Sequence, residues 1–247
     1  DAYGCTATTS VITSSKPDAG GDTTICAGTT ITISGTDPIT GTWAAQTGNP
    51  TGATLSPIGG GQATVAFTNA ASGTYMFIYS TTSCSDTMAI TVTPRPVASA
   101  ASSTICVGAT TTLNSAVAGT WVSDNNLRAT VSGNTVTGVS QGSVIFTFTQ
   151  SGTGCQDTAL VVVNPRPTVS VTGTPAVCIG ATTTLSPTTG GTWAGSNGAV
   201  ATVNNAGIVS GVAAGTAKFA FTETATGCIS DSLTVTVTTQ PTAGIDP

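Results

Sequence analysis

Thr104-Ile105-Cys106-Val107-Gly108-Ala109-Thr110-Thr111-Thr112-Leu113 decides the reading of this chain, because the chain writes it three times. An earlier copy runs Thr24-Ile25-Cys26-Ala27-Gly28-Thr29-Thr30-Ile31, and a later one Ala176-Val177-Cys178-Ile179-Gly180-Ala181-Thr182-Thr183-Thr184-Leu185. Each copy leads to a Gly-Thr-Trp ending at Trp43, Trp121 or Trp193. Each then reaches a second cysteine, Cys84, Cys155 or Cys228, and closes at a proline. Cys106 follows Cys26 by 80 residues, and Cys178 follows Cys106 by 72. A period of that size holds one small domain, so the chain is a tandem array.

Strands follow from alternation and turn signals. In the third repeat they fall at 167–171, 181–185, 191–194, 200–203, 208–212 and 218–222, with Asn204-Asn205-Ala206-Gly207 as a hairpin turn. On a last strand Leu233, Val235 and Val237 face inward while Ser232, Thr234 and Thr236 face out. Seven short strands closely spaced by turns predict an all-β, Ig-like sandwich. The second repeat keeps this plan. The first adds Gly59-Gly60-Gly61 and an aromatic strand, Tyr75-Met76-Phe77-Ile78-Tyr79, which predicts a larger middle loop.

The predicted organisation is a preceding repeat's last strand at 1–16, repeats at 17–95, 96–166 and 167–240, and the start of a following repeat at 241–247. Cys5 precedes Pro17 by 12 residues, as Cys84 precedes Pro96 and Cys155 precedes Pro167. Cys5 is therefore expected to be a second cysteine from a longer array, the alternative being an unrelated strand. The junctions Pro94-Arg95-Pro96 and Pro165-Arg166-Pro167 leave little slack, so an extended rod is expected. Lys16, Arg95 and Arg166 sit at junctions, either bridging to acidic groups on neighbouring domains or simply solvated.

Composition narrows the function classes. Charged residues make up 6% and Lys+Arg number 5, which argues against nucleic acid. No apolar run reaches the roughly 20 residues of a membrane span. Seven cysteines without histidine argue for an oxidising, extracellular setting. Zinc sites use close cysteine pairs, and none is present, so no metal or other cofactor is expected. With no His and a single Glu, Glu223, there is no general-base constellation, and no enzyme is expected. Asp18, Asp22 and Asp37 could meet a calcium ion, but no oxygen-rich loop motif surrounds them. Trp43, Trp121 and Trp193 read as core anchors rather than sugar-stacking platforms.

The pattern Val-Gly-Ala-Thr-Thr-Thr-Leu, Gly-Thr-Trp, Ala201-Thr202-Val203, Gly207-Ile208-Val209-Ser210-Gly211-Val212 and Gly215-Thr216-Ala217 resembles the group 2 bacterial Ig-like domain. The cysteines and proline junctions resemble repeats of surface adhesins and gliding-motility filament proteins of Bacteroidetes. Repeat one is closer to a PKD-like variant. The resemblance implies extracellular, cell-surface stalks or filaments and assigns no ligand. Asp86-Thr87-Met88, Asp157-Thr158-Ala159 and Asp231-Ser232-Leu233 resemble the O-glycosylation sequon of exported Bacteroidetes proteins, with Asp22-Thr23-Thr24 a weaker copy. Thr87, Thr158, Ser232 and Thr23 are thus candidate glycan sites. A turn-favouring Asp before ordinary strand residues is the other reading.

Two cysteine pairings stay open. Pairing inside a repeat gives Cys26–Cys84, Cys106–Cys155 and Cys178–Cys228. In an Ig topology these turns lie at opposite ends of the sandwich, about 20 Å or more apart, against the roughly 4.4–6.8 Å a disulfide needs. Pairing across junctions gives Cys26–Cys155 and Cys106–Cys228, leaving Cys5, Cys84 and Cys178 for further repeats. The leading function is a stapled filament or adhesin stalk whose partners are further repeats, with lateral or end-to-end self-assembly. The alternatives are a carbohydrate-binding array, using the aromatic strand and inserted loop of the first repeat on surface glycans, and the spacer of a secreted hydrolase.

Overall fold

The computed structural model describes residues 15–240, so the expectations for 1–14, including Cys5, and for 241–247 lie outside the described residues. Among the described residues every regular element is a β-strand. The first repeat holds β1 (Thr23–Cys26), β2 (Thr30–Ser34), β3 (Thr42–Ala45), β4 (Thr54–Gly59), β5 (Gln62–Ala66), β6 (Gly73–Ser80) and β7 (Ser85–Thr93). The second holds β8 (Ser99–Ala100), β9 (Thr104–Cys106), β10 (Thr110–Asn114), β11 (Gly119–Ser123), β12 (Ala129–Ser132), β13 (Thr135–Gly138), β14 (Gly142–Gln150) and β15 (Gln156–Asn164). The third holds β16 (Ser170–Thr172), β17 (Ala176–Cys178), β18 (Thr182–Ser186), β19 (Gly191–Gly195), β20 (Ala201–Val203), β21 (Ile208–Gly211), β22 (Gly215–Glu223) and β23 (Leu233–Thr238).

In the third repeat one sheet has the order β16-β18-β21-β20 and the other β17-β23-β22-β19. This is the Ig arrangement of an A-B-E-D sheet over a G-F-C sheet, with the first strand divided between the two. The second repeat has the same order, β8-β10-β13-β12 and β9-β15-β14-β11. The first has β2-β5-β4 and β1-β7-β6-β3, with an isolated Asp18–Thr36 bridge at the place of the missing edge strand. Residues from both sheets fill each core. In the third, Leu185, Ala201 and Val209 meet Trp193, Phe219, Phe221, Val235 and Val237. Truncating one of these phenylalanines to Ala would cost about 3–5 kcal/mol.

Two local departures from the sequence reading have clear causes. The first strand is not one run at 167–171. It stops at Thr172, passes Gly173 at φ 98° and Pro175, and resumes as β17 in the opposite sheet. Pro175 has no N–H to donate, but its carbonyl accepts from the Thr236 N–H at 2.9 Å, which starts the parallel β17–β23 ladder. Cys228 precedes Pro241 by 13 residues rather than 12, and the extra residue is a bulge. Phe219 pairs with Leu233, yet Thr222 pairs with Ile229, a slip of one residue across Ser230. Ser230 is buried, accepting the Phe221 N–H on its hydroxyl and donating its own N–H to the Phe221 carbonyl. In the first repeat the inserted residues lengthen the β4–β5 hairpin rather than open a loop, with Gly59, Gly60 and Gly61 at its tip.

The described chain forms two compact units. One comprises the residues up to Val97 with Ala116–Gly119 and Thr149–Asp157, and the other Ala98–Ser115, Thr120–Phe148 and the residues from Thr158 onward. The tip of the β14–β15 hairpin therefore belongs with the first sandwich.

Candidate functional site

The repeated Cys-Xaa-Gly sequence is a tight turn that closes each parallel first-strand ladder. In the second repeat the Val107 N–H donates to Asn164 O (2.9 Å), the Gly108 N–H to Gly138 O (2.8 Å) and the Ala109 N–H to Cys106 O (2.9 Å). The third repeat repeats these bonds, from Ile179 to Thr238, Gly180 to Gly211 and Ala181 to Cys178. The first uses Thr93, Phe67 and Cys26 as acceptors. The turn glycines Gly28, Gly108 and Gly180 have φ of 84°, 82° and 82°, a left-handed conformation that other residues enter at a cost. Gly138 and Gly211 serve differently, by leaving room for the turn. A Cβ on Gly211 would stand 2.8 Å from the Cys178 carbonyl oxygen.

Parallel pairing fixes where each first cysteine sits. Cys106 is in register with Asn164, whereas its repeat's second cysteine, Cys155, lies nine residues back along the chain. At strand rise that is about 30 Å, too far for a bond. Cys26 sits likewise beside Thr93, and Cys178 beside Thr238. The structure pairs Cys26 with Cys155 and Cys106 with Cys228, each with a Cα separation of 5.6 Å. Cys155 and Cys228 are 1% and 0% exposed. Cys84 is exposed and Cys178 half-buried, both as free thiols.

Junction cations reinforce the same contact. Arg166 Nε donates to the Val107 carbonyl at 3.1 Å, while its Nη1 pairs with Asp231. It thus ties the Cys106 turn to the β22–β23 hairpin that holds Cys228. Arg95 Nε donates to the Ala27 carbonyl at 2.9 Å, the equivalent position beside Cys26. Lys16 Nζ lies 3.2 Å from Asp86. The Asp86 carboxyl is held below its ordinary pKa, first by the N–H of Ala19 and then by Lys16. Of the two roles open to the junction cations, Lys16 and Arg166 have the bridging one.

These contacts bear on the glycan candidates. Thr87, Thr158 and Ser232 are exposed, while Met88 and Ala159 beside them are buried. Asp86 and Asp231 recur for a structural reason of their own, as partners of the junction cations. Thr23 lies in β1 and is half-buried, and Asp22 accepts the Ala89 N–H at 2.9 Å.

The aromatic residues line cores. Trp43 and Trp193 are each 7% exposed, and Trp121 packs half-buried against the second core. Each stacks on its F-strand neighbour, Tyr79, Phe148 or Phe221, with ring centroids 5.0–5.3 Å apart. Trp43 Nε1 donates to Gly61 O and Trp193 Nε1 to Pro187 O. Tyr75, Phe77 and Tyr79 are essentially fully buried. The aromatic strand therefore offers no stacking face for sugars, which takes away one of the two features behind the carbohydrate-binding alternative, the inserted residues being the other.

Among the described residues no group of three His, Cys, Asp or Glu side chains is placed to hold a metal. Asp18 accepts the Gly20 N–H, and Glu223 accepts the Thr226 hydroxyl, closing a hairpin. No described helix is long and apolar enough to cross a membrane. The two disulfides mark a protein folded in an oxidising, extracellular setting. Sequence reasoning missed the role of Gly138 and Gly211 opposite the cysteine turns, and the carbonyls of Ala27 and Val107. The glycines recur in Val-Thr-Gly-Val and Val-Ser-Gly-Val, a visible signal, whereas a carbonyl leaves none.

No family model matches the chain, and no curated protein matches it. Solved structures that it resembles include invasin, a bacterial integrin-binding protein, at 14% identity and a TM-score of 0.39, covering 91% of this chain. An I-band fragment of titin matches at 12% identity and 0.30, covering 92% of this chain and 97% of the fragment. Domains 1–6 of the surface layer protein SbsC match at 16% and 0.25, covering 92% of this chain and 41% of that one. The chain spans 59% of the invasin chain's length. The Ig-like assignment rests on the strand order given above.

Proposed function

We propose that the chain is a structural repeat segment of a cell-surface filament or adhesin stalk, stapled in series and O-glycosylated at Thr87, Thr158 and Ser232. Adhesion then resides elsewhere in the assembly or arises by avidity along the array. The observation that supports this best is the overlap of the two disulfides. Cys106 precedes Cys155, so the bonds Cys26–Cys155 and Cys106–Cys228 interlock. Between the two bonded pairs the chain runs three times in parallel, along 26–106, 106–155 and 155–228. Tension entering at one pair and leaving at the other is shared by three segments, the shortest spanning 49 residues. Independently closed beads lack this feature.

Single-molecule pulling from the chain ends tests the reading. Fully stretched, the stretch from Cys26 to Cys228 reaches only about 170 Å when oxidised and about 700 Å when reduced. A reductant-dependent gain of roughly 500 Å in final length is expected. Equal lengths in both states would remove the basis for a stapled stalk.

A further inference from the structure

Cys84 and Cys178 are in the same backbone settings as the bonded cysteines. The Cys84 carbonyl accepts the Thr81 N–H at 2.9 Å, as Cys155 accepts from Gln150 and Cys228 from Glu223, each at 2.9 Å. Cys178 ends its strand and accepts the Ala181 N–H just as Cys106 accepts from Ala109. One free cysteine is thus of the hairpin kind and the other of the turn kind. Among the described residues each disulfide joins one of each. Burial separates the bonded from the unbonded hairpins, since Cys155 and Cys228 are buried and Cys84 is exposed. Beside Cys84, residues Thr81, Thr82 and Ser83 line one side of an open pocket of about 280 Å³, with Ser15, Pro38 and Thr40 also lining it. The turn beside Cys178 presents Ile179, 41% exposed.

We propose that these are the two halves of one more junction of the same type. The Cys178-Ile179-Gly180 turn of one copy of this chain seats on the Cys84 hairpin of a second copy, and a Cys178–Cys84 disulfide forms between them. The two thiols give up two protons and two electrons to a small-molecule disulfide such as oxidised glutathione, which leaves as two thiols. The copies would link in one direction only, because turn pairs with hairpin. This rests on the stapled-junction reading above.

The test uses the full chain with Cys5→Ser throughout, oxidised in a glutathione buffer and resolved without reductant. Dimers and higher multiples are expected from this parent. Cys84→Ser alone and Cys178→Ser alone should stay mostly monomeric, and their equimolar mixture should give a dimer and nothing larger. Peptide mapping should find Cys84 joined to Cys178. Like-with-like links as abundant as Cys84–Cys178, or a mixture that stays monomeric, would overturn the proposal. The same digest reports Cys26–Cys155 and Cys106–Cys228, so failure of the junction reading itself is seen separately.

Discussion

Cys106 lies beside Asn164, at the far end of the segment that Cys155 begins, and this parallel register takes the two cysteines of one repeat out of reach of each other. Each therefore has a partner across a junction, and the disulfides cross-link successive repeats in addition to the peptide chain that joins them.

Removing one staple should be costly. The pair Cys106→Ser with Cys228→Ser opens a bridge with a sequence separation of 122 without leaving an odd thiol. A loss of about 2–5 kcal/mol is expected from loop-closure entropy returned to the unfolded chain. Urea unfolding against the parent protein measures it, with the slope checked for altered cooperativity. A change under about 0.5 kcal/mol would mean that the unfolded chain gains little freedom from losing the bond.

How far this was legible in the sequence depends on the kind of signal. The inward Val235 and Val237, the Trp anchors and the β20–β21 hairpin follow from alternation and turn chemistry, which are local. The split of the first strand at Gly173 and Pro175 is a tertiary event, and β17 is too short to carry a periodic pattern of its own. Once that strand crosses to the opposite sheet, the cysteine pairing follows. Without it, spacing alone leaves two schemes. Lys16 and Arg166 show the same limit, because a cation at a proline junction does not announce which carboxylate it meets.

Stability should depend on acid through Asp86. Its folded pKa is lowered, so the contribution is fully present above the unfolded value of about 4 and disappears as pH falls through the folded one. The unfolding midpoints of the parent and of Asp86→Asn should differ at pH 7 and converge as the pH falls through the folded value. Added salt should remove little of the difference, because the Ala19 N–H bond is the larger cause and is screened less than the exposed Lys16 pair. A gap that widens on acidification would contradict this assignment.

Exposure at Thr87, Thr158 and Ser232 leads to a mass prediction. Protein purified from its source should carry sugar-type mass on the peptides containing these three residues, and Thr87→Ala should remove one increment. Half-buried Thr23 should carry much less. Bare peptides at all three exposed positions would sink the glycosylated part of the stalk reading, and Asp86 and Asp231 would then stand explained by Lys16 and Arg166 alone.

Gly211 should tolerate no side chain. A Cβ there would meet the Cys178 carbonyl oxygen at 2.8 Å and Val237 Cγ1 at 2.9 Å, contacts that require the turn or the strand to move. Backbone on one side and a fully packed core on the other leave no flexible tip to give way. Gly211→Ala should therefore cost about 1–3 kcal/mol by overpacking. Gly138→Ala should behave similarly, with the Cys106 carbonyl oxygen and Val163 Cγ1 both at 3.0 Å. Gly198→Ala is the control, since nothing lies within 4 Å of its Cβ position. Urea midpoints of the three variants give the answer. If Gly211→Ala is no costlier than Gly198→Ala, close approach is not why glycine stands opposite the cysteine turn.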